Sequence, residues 1–404
     1  MTLGHRRILI TVAGALLALM LAAGCGSASQ PGATTAQAGR TAPTADSRGS
    51  LAPAAVGGVC DPTNPATGEV TSAAAPASET GETFPRFFAP SSPWNEQVDN
   101  LPNAPGSAQL LHLAGERLVP IEQAGQRGIE ARYRPVKTGL TINTCSWTDP
   151  IVSVQGGKPT RVFCRQVRCG PDAAHLTTLS IPSDVNPDPR YDGWFTVVDG
   201  ATGVAYDLWR ARRQADGSIS YAYVKKWNID GSGYQAPYDV SARGSGLPLF
   251  AGEITLGDLH SGQIDHALAI SLPGAAEGSF VAPASSTDGD GPVDSLPEGA
   301  RIRLKPNVRL RDLPRGADGR IADAIVAALT RYGAIVVDRS VVPTLYAQRD
   351  VSARYVIGNE LRSITLNDFE VVAMPQRHEY PAGTAGQSTS KLNGAQAAEV
   401  GGEG

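Results

Sequence analysis

Trp194-Phe195-Thr196-Val197-Val198-Asp199, then Gly200-Ala201-Thr202-Gly203, then Val204-Ala205-Tyr206-Asp207-Leu208-Trp209 is the stretch on which the fold turns. Two runs of β-branched and aromatic residues flank a Gly-containing turn, the pattern of a β-hairpin. Past Asp216-Gly217, the run Ser218-Ile219-Ser220-Tyr221-Ala222-Tyr223-Val224 repeats that composition, so an antiparallel meander is expected. Ile264 to Leu272 reads as another strand, with Ile264, His266, Leu268 and Ile270 on one face and Asp265, Ala267, Ala269 and Ser271 on the other. Arg301-Ile302-Arg303-Leu304-Lys305 alternates apolar with basic residues, as an edge or half-exposed strand does. One helix stands out. Asp318 can cap a segment from about Arg320 to Tyr332, with Ile321, Ile325, Ala328, Leu329 and Tyr332 on one stripe and Gly333 as the stop. Ala334-Ile335-Val336-Val337-Asp338 then returns as a strand. No βαβ series and no solenoid period recurs. The expected fold class is mainly β: a jelly-roll-like β-sandwich with one packed amphipathic helix.

Working outward, the N-terminus reads as a targeting segment rather than as part of the fold. His5-Arg6-Arg7 is a short basic start, and Ile8 to Ala23 is apolar and uncharged. That run is shorter than the roughly 20 residues a spanning helix needs. It ends in Leu21-Ala22-Ala23-Gly24-Cys25, small residues directly before a cysteine. This resembles the lipobox of bacterial lipoproteins, which implies cleavage after residue 24 and lipid on Cys25. A cell-membrane anchor on the extracytoplasmic side follows, since two or more acyl chains hold stably where one does not. Residues 25–83 are built from Ala, Thr, Ser, Gly and Pro, and no aromatic residue appears there before Phe84. Such a linker cannot bury enough apolar surface to offset its chain entropy, and as a coil it spans on the order of 40 Å. Residues 381–404 read as a similar tail, where Ser388 to Lys391 matches a Ser-x-x-Lys motif with no core around it. A single globular domain is expected over 84–380.

The net charge is −4, and no lysine-rich run or basic-aromatic interleaving occurs. A nucleic-acid partner, which needs a positive surface to displace counterions, is excluded on that ground. Beyond Cys25 lie Cys60, Cys145, Cys164 and Cys169. An even number in an exported chain reads as two disulfides with three possible pairings. Cys164 and Cys169 enclose a loop small enough to be stapled, and Cys60 would tie the linker to the body. Zinc is disfavoured because no Cys-x-x-Cys occurs.

Pro90-Ser91-Ser92-Pro93-Trp94-Asn95, Ser245-Gly246-Leu247-Pro248-Leu249-Phe250-Ala251-Gly252, Ile264-Asp265-His266-Ala267-Leu268, Gly299 to Lys305, and Arg331-Tyr332-Gly333 with Asp338 span most of Phe84 to Val372. In these motifs the chain resembles a widespread family of exported microbial proteins with no established activity. The resemblance implies a single domain and no particular reaction. Relatives often carry a histidine in the loop that here reads Ala284-Ser285-Ser286-Thr287-Asp288-Gly289, and its absence argues against a paired-histidine or metal site.

Gly-x-Ser-x-Gly, His-Glu-x-x-His, a phosphate-binding Gly-x-x-x-x-Gly-Lys and a dinucleotide fingerprint are all missing. What remains is a set of polar and aromatic residues inside strand-like segments. His266 can move a proton near neutral pH, or be a satisfied core histidine. Asp207, among aromatics, is either a buried hydrogen-bonding strut or an acid/base group with a raised pKa. Asp192 and Asp288 each precede a glycine, which more often marks a turn. Asn186, Asp188 and Asp192 offer oxygens to calcium, but their spacing fits no known loop and prolines interrupt it. No cofactor is expected beyond that weak calcium signal. Trp194, Trp209, Trp227, Tyr206 and Tyr221 are numerous enough to line a sugar groove, or to fill a core. The Gly- and Asp-rich segment Trp227 to Gly246 is long enough to be a loop over such a groove. The leading expectation is a carbohydrate-active hydrolase or lyase on an envelope or environmental polysaccharide. Its proton shuttle is His266, its carboxylate partners are Asp207 and Asp192, and its substrate contacts are Trp194, Trp209 and Asp288. The rivals are a non-catalytic glycan-binding lipoprotein and an envelope scaffold with a protein partner.

The targeting reading has a direct check. In a bacterial host, the full chain should incorporate labelled palmitate and fractionate with membranes, and Cys25→Ala should abolish the label. Unchanged labelling in Cys25→Ala would rule out this anchor.

Overall fold

The computed structural model describes residues 84, 86–119, 132–350 and 352–380, with strand backbone at 59–60 and 70–71. The signal segment, Cys25 and the tail from 381 lie outside the described residues, as does the linker apart from those two strands. Within it, Val59–Cys60 pairs antiparallel with Val70–Thr71, a short ladder where none is expected.

The hairpin forms as its composition dictates. Phe195–Asp199 pairs antiparallel with Val204–Trp209, Val204 opposite Asp199 and Leu208 opposite Phe195. Tyr223–Asn228 adds to the outer side of Val204–Trp209, and Ile151–Ser153 lies parallel to Phe195–Asp199, completing a four-stranded sheet. The meander does not continue through Ile219–Tyr221. That strand belongs to a second four-stranded sheet, where it runs parallel to Lys158–Cys164. The chain changes sheets at Ala222, whose N–H still donates to the Trp209 carbonyl at 3.0 Å.

Strand alternation sends side chains to opposite faces, and it builds three apolar layers. Phe195, Val197, Leu208 and Val224 meet Val162, Leu179, Ile181, Ile219 and Tyr221 between the two four-stranded sheets. Their neighbours Val198, Ala205, Trp209 and Trp227 turn the other way, toward Ala267, Ala269, Ile335, Val337 and Tyr346. All of these but Ala267 belong to a six-stranded sheet in the order Phe369–Val371, Arg301–Leu304, Ala334–Arg339, Leu268–Leu272, Thr344–Tyr346, Thr141–Asn143. Its far face, with Leu268, Ile270, Ile302, Val336 and Leu345, packs on helices. Among them α1 (Ser107–Ala114) buries Leu111 and Ala114. A short α2 (Leu256–Ser261) is closed at its start by a capping box between Thr255 and Asp258. The longest helix, α3 (Gly319–Arg331), buries Ile321, Ala322, Ile325, Ala328 and Leu329. Asp318 caps α3 through the Arg320 N–H, and Gly333 leaves it at φ 68°.

The protein is therefore mainly β with several sheets, as expected. Among the described residues four strand pairs run parallel, whereas neighbours in a jelly roll run antiparallel. One of them, Leu268–Leu272 beside Ala334–Arg339, is bridged by a connection that contains α3. Two strand expectations need correction. Regular pairing starts at Leu268, not Ile264, because the chain bends at His266 and the Ala267 N–H is held by the Trp94 carbonyl at 2.7 Å. Arg301–Leu304 is not an edge strand but lies between two others. Its basic side chains are used to pin a preceding segment. Arg301 donates to the Tyr332 and Pro93 carbonyls, and Arg303 to those of Val98 and Leu101 and to Asn103.

Cys164 and Cys169 are disulfide-bonded, closing the tight loop read from the sequence. Cys145 is also disulfide-bonded. The α3 seam is open to test. Ile325 is fully buried, so Ile325→Ala should cost about 2–5 kcal/mol in urea unfolding; a loss below about 1 kcal/mol would contradict its packing on the sheet.

Candidate functional site

The layer between the first four-stranded sheet and the six-stranded sheet is not uniformly apolar. Alternation puts Thr196 on the same face as Val198, and Asp207 on the same face as Ala205 and Trp209, so both polar side chains enter it. Asp207 is buried and accepts three hydrogen bonds: from the Thr196 hydroxyl at 2.7 Å, Trp227 Nε1 at 2.8 Å and the Leu249 N–H at 2.7 Å. Thr196 Oγ1 also touches Asp149 Oδ2. A hydroxyl has one proton to give, so one of the two carboxyls must donate to it. Burial, then the charges of Glu253 and Asp207, pushes Asp149 well above the usual carboxylate range. Asp149 therefore supplies that proton, while Asp207, raised by burial to about 6, receives the one from Thr196.

Glu253 enters the same layer from the loop before α2. Its Oε1 lies 3.1 Å from both the Thr148 hydroxyl and the Asp149 N–H, and burial raises it to about 8. At neutral pH Glu253 is a carboxylic acid. Its Oε2 and Asp149 Oδ1 have no hydrogen-bond partner.

Arg243 is the cation among these acids. It is 1% exposed, and its guanidinium carbon lies 5.0 Å from the Trp194 ring centre and 5.1 Å from that of Tyr346. One nitrogen, Nη1, donates to the Pro248 carbonyl at 3.3 Å. Nε and Nη2, the edge that grips a carboxylate in a two-pronged fork, have no partner, and neither has Trp194 Nε1. Glycines position this arginine. Gly246, at φ 77°, closes a turn onto the Arg243 carbonyl. At Gly244 an added Cβ would lie 2.2 Å from Asp288 Oδ1. The Ser245 carbonyl accepts from the Ser285 and Ser286 N–H groups, and Ser286 Oγ donates to the Gly244 carbonyl, so loop 284–289 is clamped against loop 241–246.

That clamp brings in a second acidic group. One oxygen each of Asp288, Glu298 and Asp338 all lie within 4.8 Å of one another. Arg339 borders them, 3.7 Å from Asp288 and 2.6 Å from Asp290.

Near the Asp149 end the surface carries strained backbone. Trp147 (φ 54°), Asp192 (φ 60°), Arg210 (φ 51°) and Asp350 (φ 71°) all adopt the left-handed conformation that non-glycine residues rarely take. Trp147 is 46% exposed, packs edge-on against Tyr191 at 5.8 Å and leads through Thr148 directly into Asp149. Strain of this kind persists only where the surroundings enforce it, and it gathers at functional surfaces.

The residues singled out in the sequence do not form one constellation. Asp207, Trp194 and Trp209 reach the inter-sheet layer, Asp288 joins the second acidic group, and Asp192 sits in the strained surface turn. There its carbonyl accepts from the Arg210 N–H at 2.7 Å. His266 is engaged elsewhere, with Nε2 3.2 Å from Asp258 Oδ2 in α2. Of the calcium trio, two side chains are engaged by arginines: Asp188 is gripped by Arg190 at 2.6–3.1 Å and Asn186 by Arg213 at 2.5 Å. Sequence reasoning missed Arg243, Asp149, Glu253, Glu298, Asp338 and Trp147. Glu253 carried a usable signal, as a lone carboxylate in the apolar run Leu247 to Ile254. No protein-family profile, curated protein or solved structure matches the chain.

The His266–Asp258 pair sets a pH window. Burial lowers the imidazole pKa, but the Asp258 charge and hydrogen bond outweigh it and the net shift is upward. Burial raises Asp258, but His266 and Thr255 bring it below the ordinary value. The histidine's contribution is present below its unfolded pKa of about 6.5 and lost as pH rises through the folded value. The aspartate's is present above about 3.9 and lost as pH falls through its folded value. The stability difference between wild type and Asp258→Asn should therefore peak between roughly pH 4 and 6.5. A flat difference in unfolding midpoints from acid to alkaline pH would contradict this.

Proposed function

We propose that the chain is a lipid-anchored extracytoplasmic protein whose body is a carbohydrate-active enzyme, a hydrolase or lyase, acting on a carboxylate-bearing envelope or environmental polysaccharide. The observation that carries this reading is the unpaired Nε–Nη2 edge of Arg243, fixed between two aromatic rings in the layer that holds the unpaired oxygens of Asp149 and Glu253. A guanidinium held rigid by stacking and left with a free fork matches a carboxylate in shape and charge. Glu253, protonated at neutral pH because burial raises it to about 8, is a fitting acid for a glycosidic oxygen. Asp207 has both oxygens occupied, so in this reading it is a positioning strut and not a base. Two sheets facing one another across this layer support reading the body as a β-sandwich, an architecture that hosts glycan sites among many others. The exposed Trp147, braced by Tyr191, is a stacking platform for an incoming sugar ring.

One observation favours a second reading. Asp149, Glu253 and Arg243 are almost wholly sealed from solvent, which suits a non-catalytic glycan-binding lipoprotein whose ligand stays at the Trp147 rim.

A panel of uronate-containing and neutral polysaccharides separates the two. The enzyme reading predicts turnover of an acidic glycan that falls as pH rises past about 8 and Glu253 loses its proton. Glu253→Gln should lower kcat by about 10² or more, and Arg243→Met should remove the preference for acidic substrates. Turnover unaffected by Glu253→Gln would end the catalytic assignment. Binding without turnover that survives both substitutions would select the second reading.

A further inference from the structure

The second acidic group makes a separate case. Asp288 comes from the loop clamped by Ser245, Glu298 from the turn before Arg301–Leu304, and Asp338 from the end of Ala334–Arg339. Three segments thus converge on one point, with one oxygen from each carboxyl within 4.8 Å of the others. Like charges brought so close must be neutralised, by protons or by a cation. Arg339 does only part of this, since it is 42% exposed, lies 3.7 Å from Asp288 and makes its short contact with Asp290 instead.

Two further observations concern what is missing around these oxygens. Asp288 Oδ1 and Glu298 Oε1 are sealed from water and receive no well-aimed N–H or O–H, and Glu298 is fully buried, its carboxyl facing that of Asp288 and the Thr287 side chain. An orphaned buried carboxylate oxygen is costly unless something outside the chain meets it. The wall beside Asp288 has also been pared to a glycine, because a Cβ at Gly244 would stand 2.2 Å from Oδ1.

We infer that Asp288, Glu298 and Asp338 form a binding site for one calcium-sized divalent cation. The donor set is all oxygen, and the group contains no histidine or cysteine, which selects hard cations over zinc or copper. Hydration then separates calcium from magnesium, because magnesium gives up its waters reluctantly and is rarely held by an all-protein cage, whereas calcium accepts one, and two of these oxygens are sealed from water. Once occupied, the site would tie the clamped loop to the six-stranded sheet directly behind Gly244 and Arg243. This inference does not depend on the polysaccharide reading, and its test does not use turnover.

The purified full chain, stripped with a chelator, should take up one calcium ion per chain in equilibrium dialysis with radiolabelled calcium. Its thermal midpoint should rise by about 3 °C or more at saturation. Magnesium should bind at least about tenfold more weakly. Glu298→Gln keeps the side chain's shape and removes one charge from the crowd. It should unfold no earlier than wild type in chelator, yet lose the uptake and the calcium-dependent rise. Asp338→Asn, at a half-buried position, should behave the same way, and it serves alone if Glu298→Gln does not fold. No uptake by wild type at about 10 mM calcium, well above the weakest extracellular calcium sites, would show that shared protons neutralise the group and would overturn the proposal. Undiminished uptake in the substituted chains would overturn it equally.

Discussion

A single buried guanidinium, stacked between Trp194 and Tyr346, is the constraint around which the inter-sheet layer is arranged. Taking a charge out of water costs several kcal/mol even after relaxation. Stacking on two rings returns about 2 kcal/mol or more for each desolvated cation–π contact, and Asp207, raised only to about 6 and so ionised at neutral pH, adds a Coulombic attraction. Arg243 in turn lowers the pKa values of Asp149, Asp207, Glu253 and Asp338, and burial raises them further than it can hold them down. The layer is therefore rich in protons at neutral pH. Asp207 is the settled member, with three donors and no spare oxygen. Asp149 and Glu253 are the unsettled ones, each with an oxygen left over. That asymmetry gives the layer a ligand-binding character that an apolar core between the same sheets would lack.

The rest of the molecule holds this arrangement in place. Trp94 is buried, donates through Nε1 to the Gly233 carbonyl and accepts from the Ala267 N–H, so it fixes the approach to the Leu268 strand. Asn95 donates to the carbonyls of Phe87, Phe88 and Ala89, folding the first described segment onto the body. Arg301 and Arg303 pin the chain from Pro93 to Asn103. The Pro90 to Asn95 motif is thereby accounted for by packing and hydrogen bonding. Loop 241–246 is different, since its glycines and serines aim Arg243 on one side and admit Asp288 on the other.

Much of the framework was legible in the residues, and the reasons are local. The Phe195–Trp209 hairpin and α3 are set by patterns that neighbours along the chain determine: a Gly-containing turn between β-branched runs, and an Asp cap with a 3.6-residue stripe. Features decided by partners distant in sequence were not legible. Nothing in Tyr221-Ala222-Tyr223 announces a change of sheet, and the alternating charges of Arg301–Lys305 imitate an edge strand although Phe369–Val371 covers that side. His266 looked like a strand residue because Ile264 and Leu268 keep the period, whereas its tie to Asp258 and the hold of Trp94 on Ala267 impose a bend. At the candidate site, Asp207 was visible as a carboxylate among aromatics, and its strut role is one of the two readings that position allows. Arg243 was hidden in a Gly- and Ser-rich loop, where composition suggests only flexibility. Asp149 and Asp338 sit at strand margins, where a carboxylate ordinarily faces water.

The protonation state of Glu253 tests the central claim most directly, because it reports on burial, on Arg243 and on the unpaired oxygen together. A pH titration of the Glu253 side-chain carboxyl carbon by ¹³C NMR in the full chain should give a midpoint near 8. It should move when a carboxylate-bearing sugar binds. A midpoint near the ordinary glutamate value of about 4.3, unmoved by such sugars, would mean that the layer is open to water and that Arg243 is already neutralised.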